Sequence, residues 1–127
     1  MIKVQIILKE KKNILNIFNR EKYILKSEII KIETLKNELN KYDLKHIDIL
    51  KIDTEGFEFD VIKGAEESLK LVNFILFEHH YDQMIIKNYK FSQINQYLRK
   101  LNFKKIIKLK MPFRKTFEYI YVNDDFK

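Results

Sequence analysis

The sequence predicts an α/β fold built on parallel central strands and closed by a C-terminal antiparallel hairpin. Three observations carry that expectation. Two short apolar runs, 47–52 and 74–77, each end in an acid, Asp53 and Glu78. A stretch of about 20 residues with helical spacing separates them, long enough for the crossover that parallel strands require. Two further β-prone runs, 103–111 and 116–122, flank Pro112, and so short a connection makes them antiparallel.

The elements follow in chain order. Short apolar patches at 4–8, 14–18 and 23–25 read as strands or edges, and 27–32 as a better strand. From Glu33 to Tyr42 the spacing turns helical, with Leu35, Leu39 and Tyr42 on one face and Thr34 as N-cap. Residues 47–53 form a near-continuous apolar run, the pattern of a strand covered on both faces. Beyond the loop glycine Gly56, the residues Phe59, Ile62, Leu69 and Val72 fall near one helical face. Gly64 interrupts this stretch and predicts a second short helix over 65–71. The next strand is read as 73–78, followed by an irregular loop over 79–89. Ser92 is the expected N-cap of a helix whose apolar face is Ile94, Tyr97, Leu98 and Leu101.

The stretch KIDTEGFEFDVIKGAEESL resembles the FkbM-type methyltransferase family. The resemblance rests on Lys51, Ile52, Asp53, Glu55, Gly56, Glu58, Lys63, Gly64 and Ala65. Upstream, IETLKNEL resembles the segment that precedes this strand in the family, with Lys36 where an acid is common. Downstream, FILFE and the hairpin around MPFRKTFEYIYVN fit the same pattern, so the similarity runs over about residues 30–122. The resemblance implies a Rossmann-like sheet and S-adenosylmethionine-dependent methyl transfer, usually to an oxygen on a sugar or natural product. Its C-terminal half is the part recognised here.

The cofactor half has no counterpart in the motifs. A site for S-adenosylmethionine of this kind needs a glycine-rich turn that lets backbone approach the ligand at a helix N-terminus. The chain contains two glycines, both inside the motif already described. The expectation is therefore a single truncated domain over 1–127, with no cofactor-binding residues of its own and inactive alone. Three readings follow. One is a methyltransferase lacking its cofactor half. Another is a non-enzymatic remnant or subunit paired with a cofactor-binding protein. The third is a small basic nucleic-acid binder.

Composition narrows these. A chain of 127 residues is one domain at most, and 46% apolar residues suffice for a core. No run approaches 18 uncharged apolar residues, and no signal-peptide pattern opens the chain, so a cytoplasmic protein without membrane contact is expected. The absence of Cys excludes disulfides and thiolate metal sites. The net charge of +7 would attract nucleic acid. Its lysines are dispersed, however, and Arg occurs only at positions 20, 99 and 114, which argues against that partner. The expected partners are a small-molecule or glycan acceptor and, for a subunit, a protein supplying the missing half.

Ligands of open α/β sheets bind beyond the carboxyl ends of the strands. Asp53 and Glu55 follow one strand there; Glu78, His79 and His80 follow the other. Methyl transfer to a hydroxyl benefits from a general base, which points to Asp53, His79 or His80. Glu55, Glu58 and Glu78 are candidates for binding the acceptor. Asp53, Glu55 and Glu78 also have the chemistry to hold a hard cation, although no metal site is expected. Each residue has a plainer role open to it. Asp53 can cap the following helix, and Glu55 and Glu58 can complement its dipole. Neighbouring strand residues face opposite sides, so at most one of His79 and His80 faces a given site. His46 precedes its strand at the other edge and is read as structural.

Overall fold

A computed structural model describes residues 33–82 and 85–126. The strand-like patches expected between residues 4 and 32 lie outside the described residues. The described chain is a mixed α/β fold. It runs α1 (Leu35–Lys41), β1 (Ile47–Ile52), α2 (Glu58–Gly64), a 3-10 turn (Glu66–Leu71), β2 (Val72–His80), α3 (Phe91–Lys100), β3 (Phe103–Lys110) and β4 (Thr116–Asn123). The four strands form one sheet in the order β1-β2-β4-β3. The β1–β2 pair is parallel, and β4 pairs antiparallel with both β2 and β3.

Local chemistry sets most element ends. The Thr34 hydroxyl accepts the Asn37 N–H at 3.2 Å and starts α1. Gly64 closes α2, and the backbone tightens into the 3-10 turn that ends at Leu71. α3 starts at Phe91, one residue before the expected cap, and Ser92 is exposed. The Gln93 side chain reaches back to accept the Lys90 N–H at 2.7 Å, so the helix start is satisfied without Ser92. Phe91 stacks on Tyr119 with ring centroids 4.2 Å apart, which ties that start to the sheet.

Strand β2 runs to His80, beyond the expected end at Glu78. Its pairing with β1 ends at Ile52↔Phe77, whereas its pairing with β4 continues through His79↔Phe117 and His80↔Thr116. The hairpin therefore extends the strand, and both histidines belong to the sheet, outside the loop where sequence spacing put them.

The core lies on the helix-covered face. Ile75 and Phe77 of β2 meet Tyr119 and Tyr121 of β4 there, beneath Ile94 and Leu98 of α3. Phe77 stacks against both tyrosines, at 5.6 and 5.8 Å. The tyrosine hydroxyls leave this core at its rim, Tyr121 donating to Asn95 and Tyr119 bonding to Tyr81, each at 2.7 Å. The opposite face is only partly covered. Ile49 is 62% exposed and Ile107 is 38% exposed. This corrects the expectation that β1 is buried on both sides: only Ile52 of β1 is fully buried. Its apolar run serves one covered face and one open one. Among the described residues, no helix is long and apolar enough to cross a membrane.

Truncating Phe77 to Ala should remove about 3–5 kcal/mol of stability, because the cavity would open between two rings. The exposed Ile49→Ala should cost less than about 0.5 kcal/mol. Urea unfolding followed by circular dichroism measures both.

Candidate active site

The carboxyl end of β1 leads into the loop Asp53-Thr54-Glu55-Gly56. The backbone turns sharply there, with φ of +52° at Glu55 and +112° at Gly56. Only glycine holds the second value without strain. A side chain at Gly56 would also collide with its neighbours. Its Cβ would sit 2.6 Å from the Ile86 carbonyl oxygen and 2.8 Å from the Ile85 methyl. The segment after β2 thus packs directly on this loop.

One carboxylate holds the turn. Glu58, the first residue of α2, is 4% exposed. Its Oε1 accepts the Thr54 N–H at 3.3 Å, the Thr54 hydroxyl at 3.2 Å and the Gly56 N–H at 3.0 Å. Its Oε2 accepts the Tyr89 hydroxyl. A carboxylate at a helix N-terminus is also favoured by the helix dipole. Phe57, in the cap position, makes no side-chain cap bond, and Glu58 accepts from the preceding loop, not from the helix's own N–H groups. Burial, reinforced by the Glu58 contact, pushes the Tyr89 phenol far above its ordinary range and keeps it a donor.

His79 lies on the same face, with Tyr81, Tyr89 and Phe91 around it at ring separations of 4.8, 5.5 and 5.6 Å. It is 2% exposed, and its Nδ1 has no hydrogen-bond partner. Burial first, then the nearby Lys87 ammonium, lowers its pKa from 6.5 to about 4, against the opposing pull of Glu58. The ring is therefore neutral near pH 7.

His80 points to the other face. Its Nε2 is 2.9 Å from Glu78 Oε1, and its Nδ1 is 3.0 Å from the Thr116 hydroxyl and 3.7 Å from Asp82 Oδ1. The structure thus sorts the sequence candidates into three groups. Glu58 and His79 join Tyr89 under the helices. Glu78 and His80 join Thr116 on the open face. Asp53 and Glu55 remain exposed at the strand end, with Asp53 3.3 Å from Lys51. Asp53 makes no cap to α2, whose cap position is Phe57. His46 sits before the amino end of β1, away from all three. Tyr89, Thr54 and Thr116 were not legible as site residues. Tyr89 lies in a stretch without periodicity, and Thr116 acquires its role only when β4 pairs with β2.

Among the described residues, no three His, Asp or Glu side chains converge as a metal site would require. The donors also do not fit S-adenosylmethionine in the usual glycine-turn manner. The space that a glycine cradle would leave for a ligand at Gly56 is filled by Ile85 and Ile86, and Gly64 sits in α2. A family model described as the methyltransferase FkbM domain matches residues 10–105. That span begins earlier and ends earlier than the 30–122 over which the motifs carry the resemblance. No curated protein and no solved structure gives a match.

Three measurements check this geometry. Glu58→Gln should cost about 1–3 kcal/mol, since the amide cannot accept from every donor now facing the carboxylate. Gly56→Ala should destabilise by at least about 1–3 kcal/mol through strain alone. His79 should make stability pH-dependent. Its unfolded pKa of 6.5 exceeds its folded value of about 4, so the unfolded chain binds more protons between them. The His79 contribution is complete above pH 6.5 and is lost as pH falls to about 4. His79→Phe should flatten that part of the stability profile, read by urea titrations across the window.

Proposed function

Because the chain belongs to the FkbM methyltransferase family, we propose that it forms the acceptor side of an S-adenosylmethionine-dependent O-methyltransferase. The acceptor is a hydroxyl on a sugar or natural product. One observation carries this reading. The Asp53–Glu58 loop is held rigidly at the carboxyl end of a parallel strand, while the Asp53 and Glu55 carboxylates stay in solvent. That is the edge where open α/β sheets bind ligands.

Several features support it. The order β1-β2-β4-β3, with an antiparallel strand inserted beside a parallel pair, suits the closing half of a Rossmann-like sheet. β1 is the outermost strand among the described residues, so a further parallel strand can add beside it. Asp53 is the carboxylate with open access to an incoming hydroxyl and suits the role of general base. Glu55 suits hydrogen bonding to the acceptor. His80, already bonded to Glu78 and Thr116, suits orientation at the same edge. His79 is enclosed by rings, and a pKa of about 4 makes it a weak base, so it suits a packing role in this scheme. We assign the cofactor to a strand-turn-helix segment supplied in addition to the described residues, on this gene or on a partner protein.

Calorimetric titration tests the reading. The chain alone should show no S-adenosylmethionine binding. A fusion carrying a glycine-rich strand-turn-helix ahead of residue 30 should bind it. Asp53→Asn in that fusion should lower methyl transfer by about 10²–10⁴-fold with cofactor binding unchanged. Micromolar binding by the chain alone would overturn the assignment of the cofactor site elsewhere.

A further inference from the structure

Strand β3 reads FKKIIKLK, and strict alternation along it would put Lys105 on one face and Lys108 and Lys110 on the other. The observed pairing is different. Lys105 lies opposite Tyr121, Lys108 opposite Tyr119 and Lys110 opposite Phe117, with a register shift between Lys105 and Ile107. Ile106 is the extra residue of a β-bulge and is 48% exposed. The bulge brings the three lysines onto one face, the helix-covered side of the sheet. Lys104, Ile107 and Leu109 are left on the other.

The row has a defined lining. Lys105 Nζ lies over the Phe91 and Tyr119 rings, at 5.4 and 5.8 Å from their centroids. Lys108 Nζ lies over Phe117 at 4.3 Å and Tyr119 at 6.0 Å. Rings attract these ammonium groups without neutralising them. The acid of β4, Glu118, pairs opposite Leu109 and so faces away. All three lysines are exposed. Alternate strand positions are about 7 Å apart, so the row presents three charges over roughly 14 Å. β3 runs parallel to β2, since both are antiparallel to β4, so Lys110 ends at the same edge as His79 and His80. Tyr81 stands there too, 47% exposed, edge-on to Phe117 at 5.5 Å and fixed by its hydroxyl to Tyr119.

We propose that this row, with Tyr81 at its end, binds a linear acidic saccharide as the methyl acceptor, a substrate class that rests on the O-methyltransferase reading. Evenly spaced charges match a chain with repeating carboxylates better than a single anion. Tyr81, 47% exposed, offers a platform for one sugar ring. Single-stranded nucleic acid would call for a ring for each stacked base, and the other rings of the row lie beneath ammonium groups.

Binding of an oligogalacturonate to the full chain tests the proposal, with a galactose oligomer of equal length as the neutral comparison. The acidic oligomer should bind in a salt-sensitive manner and the neutral one weakly. Lys105→Gln/Lys108→Gln/Lys110→Gln should weaken binding about tenfold, and Lys36→Gln/Lys41→Gln/Lys70→Gln, with the same charge loss outside β3, less than about twofold. Lys108→Arg should retain binding, and far-UV circular dichroism checks that each variant folds. Equal loss in both triple variants, no binding, or tighter binding of single-stranded RNA would each overturn the proposal. The readout uses neither cofactor nor turnover, so the two readings fail separately. Selective oligosaccharide binding without any methyl transfer removes the transferase reading alone. Methylation of a neutral acceptor without oligosaccharide binding removes the acidic acceptor alone.

Discussion

The Glu58 carboxylate is the contact on which the carboxyl edge of the sheet depends. It is buried, and a buried charge is tolerable only when its lone pairs are filled. Here they are filled by the loop that carries the exposed acids and by a tyrosine from the segment after β2. A single side chain therefore sets the turn at Glu55 and Gly56 and draws the later segment onto the loop. The price is specialisation: its oxygen atoms are committed to four internal donors, while Asp53 and Glu55 stay exposed to solvent.

The second constraint is the insertion of β4 between β2 and β3. It buries Tyr119 and Tyr121 against Phe77, and it lengthens β2 so that two adjacent histidines fall on opposite faces. The two imidazoles then live in different chemistry. His79 is enclosed by rings and kept neutral. His80 is bonded at both nitrogens to polar groups on the open side. The same insertion makes β3 an edge strand among the described residues, where a bulge and a row of lysines both discourage further pairing and create a cationic surface.

Much of this was legible in the residues. The parallel pair, the break at Gly64, the Thr34 cap and the closing hairpin each follow from local pattern: apolar runs, a glycine, a hydroxyl before a helical stretch, and a short connection at Pro112. The family motif marked the loop after β1, because its acids cluster where a strand ends. Other features were not legible. Ser92 looked like the better cap, but Gln93 and the Phe91 stack decided the start of α3. The apolar run of β1 resembled a doubly covered strand, yet Ile49 faces outward.

The sequence by itself determined the elements, their order and the chemistry available at the strand ends, because these depend on neighbours within a few positions. It also limited the chain to two glycines. Tertiary structure alone decided which carboxylate is consumed internally, which histidine is neutral, and which lysines share a face. Each of those depends on a partner far along the chain: Tyr89 for Glu58, Thr116 for His80, and the one-residue shift of β3 against β4 for the lysine row. Local spacing carries no record of such pairings, since they arise only when distant strands take up a register.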